Sequence, residues 1–276
     1  MNNPGLNNPG LYIASSDSLE SHLPVLLDAA GLTDLIPTDK PVLIKPNLVE
    51  ALPPPVTTPV QLIALLVDYL QSRLPGSPLL IGEGTGSLQY DTHYPFQLLG
   101  YTDLASKKNI PLLDLNHEKL TKKEYTTCTR WPIMHLPSIL DEVFLLSVPV
   151  LKAHTLAGVT LTMKNMMGCA PPSHFRGQGT WGKSAFHQQI QEAIFDLNRY
   201  RTPDFSLLDA SIGMAKAHLW GPHCDPPIKQ LVASADPVAI DAYGSSLLNI
   251  DWNTIGHIHM ADSILGSAKT IPIVIS

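Results

Sequence analysis

Two lysines, a histidine and an asparagine fall within fourteen positions of one another in Lys152-Ala153-His154 and Lys164-Asn165, with Gly168 just beyond. They follow directly on the most apolar run of the chain, residues 143–151. Lysine is rarely buried without a partner, and open α/β sheets bind ligands beyond the carboxyl ends of their strands. The implied chemistry is that of a cationic pocket for a small anion. A histidine near its free pKa moves protons at neutral pH. A lysine in a partly apolar site can lose its proton and become a nucleophile or a covalent anchor.

Three other segments have the same form, an apolar run that stops on polar residues: Lys45-Pro46-Asn47, Gly82-Glu83-Gly84 and Asp209. If these runs are parallel strands, their carboxyl ends lie on one edge and the segments converge on one crevice. Lys45, Lys152 and Lys164 would supply positive charge and His154 a proton-transfer group. Glu83 or Asp209 would be a second acid–base or metal-binding group. Asn47 and Asn165 would orient a ligand, and Gly84 would let the backbone approach it. Taken singly, each residue is a polar strand terminus facing water. Taken together they have the composition of a general acid–base or metal-assisted site.

Other reactive groups give weaker signals. Gly82-Glu83-Gly84-Thr85-Gly86 fits neither common phosphate-binding glycine fingerprint. His218, His223, Cys224 and Asp225 cluster in one segment and could ligate a transition metal, but at no established metal-motif spacing. His187 follows core-type Phe186 and is open to either a lid or a surface position.

The elements that must position these groups read as α/β. Strands are expected at 11–14, 41–44, 78–81, 111–115, 143–150, 205–208, 231–233 and 271–275. Helical patterns fall between them: one ending at Ala30 with Pro24 in its first turn, one from Thr58-Pro59 to Leu74, one marked by Phe186, Ile190, Ile194 and Leu197, and one from Asp236-Pro237 to Leu248. Thr58 and Asp236 are expected N-caps, each followed by proline at the first helical position. The result is a mainly parallel sheet flanked by helices. A small β excursion is expected at 124–135, and two long Pro/Gly-rich loops at 169–183 and 213–227, the first a candidate lid. Residues 1–10 read as a mobile lead-in and 11–276 as a single α/β domain.

Bulk properties narrow the function. Charged residues make up 15% and the net charge is −6, with no Lys/Arg block, so nucleic acid is not an expected partner. No apolar run approaches the ~18 residues of a membrane span. The three cysteines, Cys128, Cys169 and Cys224, form no Cys-x-x-Cys pair, so no iron–sulfur cluster or structural zinc is expected. A reduced, cytoplasmic protein without a signal peptide is the expectation. A homo-oligomer is left open.

The order of motifs resembles one family. Val42-Leu43-Ile44-Lys45-Pro46-Asn47-Leu48 leads to Thr57-Thr58-Pro59 and Ile81-Gly82-Glu83-Gly84. Then come Lys152-x-His154, Gly158-Val159-Thr160, Lys164-Asn165 and Gly168, followed by Leu208-Asp209 with Ile212-Gly213-Met214, and Ser234-Ala235-Asp236-Pro237 with Asp241. This is similar to the family known as domain of unknown function 362, across residues 40–262 and without the iron–sulfur module of many relatives. A more distant resemblance is to the N-terminal domain of nickel-pincer lactate racemases. It implies His154 as a catalytic base and Lys164 as the lysine that carries a cofactor. That family's Ser-Gly-Gly-Arg is replaced by Thr160-Leu161-Thr162-Met163, and its second catalytic histidine by Gly84-Thr85-Gly86. His174 and His187 lie nearest in sequence to the place of a nickel ligand.

The expectation is therefore an enzyme, isomerase/racemase-like or redox-linked, acting on a small carboxylate or other anionic metabolite by proton or hydride movement. The cofactor is open between a metal and a lysine-linked group. The alternatives are a non-catalytic cofactor- or metal-binding protein serving a redox partner, and a metal-dependent hydrolase using the segment from His218 to Asp225.

Overall fold

The computed structural model describes residues 9–275, so residues 1–8 of the expected lead-in lie outside the described residues. In chain order the strands are β1 (Leu11–Ser15), β2 (Val42–Pro46), β3 (Leu79–Glu83), β4 (Leu112–Asp114), β5 (Leu120–Glu124), β6 (Ile133–Pro137), β7 (Phe144–Val148), β8 (Val150–His154), β9 (Gly158–Thr160), β10 (Phe205–Met214), β11 (Gln230–Ser234) and β12 (Pro272–Val274). Ten of them form one sheet in the order β12-β1-β11-β10-β7-β2-β3-β4, with β8 joined to β10 and β9. Pairings within β10-β7-β2-β3-β4 are parallel, while β11 runs antiparallel to both β1 and β10. Strands β5 and β6 form a separate antiparallel hairpin, where a small β excursion was expected.

The central strands are buried on both faces because helices cover both. In β2, Val42 and Ile44 join one apolar layer and Leu43 the other, as the two-residue period of a strand requires. Helices Leu19–Ala29 and Val60–Arg73 supply Leu26, Ile63 and Leu66 to the first layer. Helices Ile190–Tyr200 and Pro237–Leu247 supply Ile194, Leu197 and Ile240 to the second. Asp236 caps the last of these helices as expected, its Oδ1 accepting from Val238 N and Ala239 N at 2.8 and 3.0 Å. No helix among the described residues is long and apolar enough to cross a membrane.

Several local expectations are corrected. Helix Leu19–Ala29 starts early enough that Pro24 lies inside it and not in its first turn. Thr58 does not cap helix Val60–Arg73. Its hydroxyl donates to Val148 O at 2.7 Å and accepts from Asn47 N at 2.8 Å, bridging the ends of β2 and β7. The run 143–150 is not one strand. Pro149 separates β7 from β8, and β8 leaves β2 to form a hairpin with β9.

Strand β10 runs through Asp209 to Met214. Asp209 pairs with Val150 on one side and Leu231 on the other, so its polar side chain does not end the ladder. The segment 169–183 includes a helical turn at Pro172–Phe175. Phe186 lies in its own turn, Ser184–His187, ahead of helix Ile190–Tyr200.

Candidate functional site

The carboxyl ends of β2, β3 and β8 border a cavity of about 240 Å³. Asn47, Glu83, Gly84, Lys152 and His154 reach it from those ends. Lys164 and Asn165 reach it from the short helix Thr162–Asn165, which follows the β8–β9 hairpin. Asp241 fixes the start of that helix: its Oδ1 and Oδ2 accept from Thr162 N and Met163 N at 2.8 and 3.0 Å. Burial pushes the Asp241 carboxyl up to about 7, even though these backbone donors favour its ionised form.

Four buried lysines stand at the site, and their hydrogen bonds divide them. An ammonium has three N–H donors. Lys45 Nζ uses its donors on Glu83 Oε2 at 2.9 Å, Asn165 Oδ1 at 3.1 Å and Pro46 O at 3.1 Å. Lys183 Nζ uses its donors on the carbonyls of Gly84, Met167 and Gly168, at 2.7, 3.1 and 3.0 Å. Lys152 Nζ donates to Asn47 Oδ1 at 2.8 Å and Val56 O at 2.6 Å, which leaves one N–H. Lys164 Nζ makes no hydrogen bond or ion pair among the described residues, although the residue is 8% exposed. Lys45 and Lys183 are therefore structural ties, and Lys152 and Lys164 are the lysines that still offer donors to the cavity.

Glu83 is equally committed. Oε2 accepts from Lys45 and from Leu48 N at 3.1 Å, and Oε1 accepts from Gly84 N at 2.8 Å. Lys152, Lys164 and Lys183 have no ion-pair partner among the described residues, so the cavity carries excess positive charge. Burial pushes the Lys164 and Lys183 amines down to about 8. Burial first, then the neighbouring Lys164 charge, holds Lys152 well below its ordinary value.

His154 is set up as a hydrogen-bond donor. Its Nδ1 accepts from Leu156 N and Ala157 N, each at 3.1 Å. The neutral ring must then carry its proton on Nε2. Burial, and next the charge of Lys164, holds this imidazole well below its usual range. His218 stacks on it with ring centroids 4.0 Å apart and is itself pushed down to about 4 by burial and Lys164. His187 also borders the cavity and is lowered by the same two causes. Among the described residues, His218 Nδ1 and Thr160 Oγ1 are buried without a hydrogen-bond partner, and both residues border the cavity.

Some expected site residues are not at the cavity. Lys45 is fully buried behind it. Asp209 lies mid-strand and accepts from Ser211 N at 2.9 Å, so it does not reach the lining. His174 stacks on His135 of the hairpin with centroids 4.0 Å apart. His223 is exposed and bridges by its backbone to Met214. Of the candidate ligands His218, His223, Cys224 and Asp225, His218 alone borders the cavity. Asn47 and Asn165 are at the cavity but bond to each other: Asn47 Nδ2 donates to Asn165 Oδ1 at 2.9 Å, and Asn165 Nδ2 to Ser147 Oγ at 3.0 Å. They hold lysines in place and have little left for a ligand.

The sequence reading missed Lys183, Trp181 and Thr160, all of which border the cavity. The signal for Lys183 and Trp181 was their place in the Pro/Gly-rich segment already considered as a lid.

The chain is 25% identical, over 265 residues, to a thylakoid-associated protein of Synechocystis sp., covering 86% of this chain and 72% of that one. Its fold is similar to that of the lactate racemase apoprotein from Thermoanaerobacterium thermosaccharolyticum, with a TM-score of 0.52 and 14% identity. The likeness covers 87% of this chain and spans 57% of the racemase chain.

The racemase resemblance implies a nickel-bearing, lysine-linked nucleotide and a second histidine where Gly84-Thr85-Gly86 stands. A Cβ at Gly84 would lie 2.4 Å from both Asn116 Oδ1 and Gly168 O, so that position has no room for any side chain. Among the described residues no three His, Cys, Asp or Glu side chains are grouped as metal ligands. An unpartnered Lys164 suits covalent attachment, but the residues present do not fit the metal-bearing group. The family model that does match covers residues 42–246, and the chain belongs to that family, described as a domain of unknown function (DUF362).

Proposed function

We propose that this protein is an enzyme that binds a small carboxylate in the cavity and moves a proton at the carbon next to the carboxylate. Lys152 and Lys164 meet the anion. The Nε2–H of His154 donates to a carboxylate oxygen, where negative charge grows as the proton leaves the neighbouring carbon. The neutral form of Lys164 accepts that proton. With its pKa near 8, about a tenth of the lysine is neutral at pH 7 and ready to act. Glu83 and Lys45 hold strand ends together and do not touch the substrate.

The observation that carries this reading is Lys164 itself: a buried amine, without a partner among the described residues, in a cavity with excess positive charge. The test is exchange of the 2-hydrogen of lactate and malate for deuterium in heavy water, followed by proton NMR, with calorimetric titration of the same acids. Wild-type protein should bind and exchange, while Lys164→Met should bind more weakly and lose exchange. No binding at millimolar acid, or equal exchange by the variant, defeats the reading.

The same unpartnered amine favours a second reading, a non-catalytic carrier with an anionic cofactor anchored on Lys164. A mass increment on the peptide containing Lys164 in purified protein would select it.

A further inference from the structure

We propose that the anion carries an apolar body of about ring size, so that the ligand class is aryl- or branched-alkyl-substituted 2-hydroxy or 2-oxo acids. This rests on the carboxylate-binding reading above and concerns the lining residues that the reading does not use. The groups with spare hydrogen-bonding capacity are Lys152, Lys164, His154 and Thr160, on β8, β9 and the helix Thr162–Asn165, together with His218, whose ring stacks on His154. Much of the remaining lining is apolar: Val49, Met167, Trp181 and Leu219.

Trp181, Leu219 and Val49 belong to neither apolar layer of the fold. Their apolar surface is therefore not needed to build the core. Trp181 and Leu219 come from the two long loops, one from each.

The Trp181 wall is built and not merely loose chain. Gly182 N donates to Gly86 O at 2.6 Å, and Trp181 N donates to Ser184 Oγ at 3.0 Å. Two residues after the indole, the Lys183 ammonium is tied to three backbone carbonyls. The indole lies directly on Gly86, where a Cβ would fall 2.0 Å from Nε1. Glycine at 86 is what lets the ring sit against the turn after β3.

Size agrees with the apolar lining. A cavity of about 150 Å³ accepts a benzene ring. The cavity here, at about 240 Å³, has room for a ring plus a short acid head. A three-carbon acid held at the lysines would leave the wall of Trp181 and Leu219 against water. A phenyl or branched alkyl group in that space would displace it.

The experiment compares lactate with 3-phenyllactate, which share one 2-hydroxy acid head, by calorimetric titration against the full chain. Burying a Phe-sized group corresponds to about ten- to hundredfold in affinity, so phenyllactate should bind at least about tenfold tighter. Trp181→Ala and Leu219→Ala should each bring the ratio towards one while leaving lactate affinity in place. Trp181→Phe, which keeps an aromatic wall, should retain most of it, and thermal melts of the three variants establish that they are folded.

Equal affinity for the two acids in wild-type protein overturns this inference and leaves the carboxylate reading standing. A ratio that survives in both folded alanine variants overturns it too, because the body then sits elsewhere. Failure of both acids to bind removes the carboxylate reading along with it.

Discussion

Replacing Lys164 by methionine should make the protein more stable while removing the proposed proton exchange. Lys164 is 8% exposed, and burial alone pushes its amine from 10.5 down to about 8. At pH 7 the folded protein still holds most of this lysine protonated, against that preference. The cost is about 3 kcal/mol at 1.36 kcal/mol per pKa unit.

Methionine is unbranched, of similar length and adaptable in packing, so it leaves no large void. Part of the penalty is relieved by contact with cavity water, so a net gain of about 1–3 kcal/mol is expected. With an unfolding entropy of about 2.1 cal/mol/K per residue, that is a rise of roughly 2–5 °C in Tm for a chain of 276 residues.

The contrasting variant is Lys45→Met. Lys45 is the partner of Glu83 at 2.9 Å, so its loss leaves a buried carboxylate uncompensated and should cost about 3–5 kcal/mol. Urea unfolding at pH 7 measures both. If Lys164→Met destabilises by more than about 1 kcal/mol, the lysine has a compensating partner and the reasoning fails.

Three further outcomes follow from the same geometry. The unfolding free energy should rise from pH 8 to 10.5, because over that range the unfolded chain keeps protons on Lys164 and Lys183 that the folded chain releases near 8. Denaturant titrations across that range measure the slope, which Lys164→Met should reduce. Affinity for a carboxylate should fall as pH rises through about 8, when Lys164 loses its charge, and a flat profile in calorimetry would place the anion elsewhere. Thr58→Val removes a hydroxyl bonded to both Asn47 N and Val148 O, so it should cost about 1–3 kcal/mol and weaken anion binding by disturbing the Asn47 that holds Lys152. Loss of stability with unchanged binding would mean that the hydroxyl serves the fold alone.

The parts of this site that could be read from the chain are those set by local patterning. Buried parallel strands are continuous apolar runs, and the residues at or just past their carboxyl ends, Asn47, Gly84, Lys152 and His154, do meet at one edge. What could not be read depends on backbone groups distant in sequence. Lys45 and Lys164 look alike in the chain; one is saturated by Glu83, Asn165 and Pro46 O, and the other meets no acceptor among the described residues. Thr58-Pro59 has the form of a helix cap, but the same hydroxyl forms two bonds at the strand ends instead. Asp209 looked like a strand terminus because its side chain is polar, while its backbone pairs on both sides. Lys183 was hidden because a Pro/Gly-rich composition does not say where an amine will find three carbonyls.

The ties around the cavity also bear on how the chain comes together during synthesis. Lys45 and Glu83 are 38 positions apart and can pair soon after both have been made. Lys45 must wait 120 positions for Asn165, Asn47 must wait 105 for Lys152, and Gly84 must wait 99 for Lys183. Chain entropy is lost before such distant contacts return anything, and domains grow from the N-terminal side. A nascent chain that has formed β2 and β3 therefore has its ion pair but no cavity. The cavity lysines Lys152 and Lys164 arrive later, on a hairpin and helix that must dock against strands already in place. Slow docking would be read in refolding experiments as ligand binding that lags behind the recovery of secondary structure.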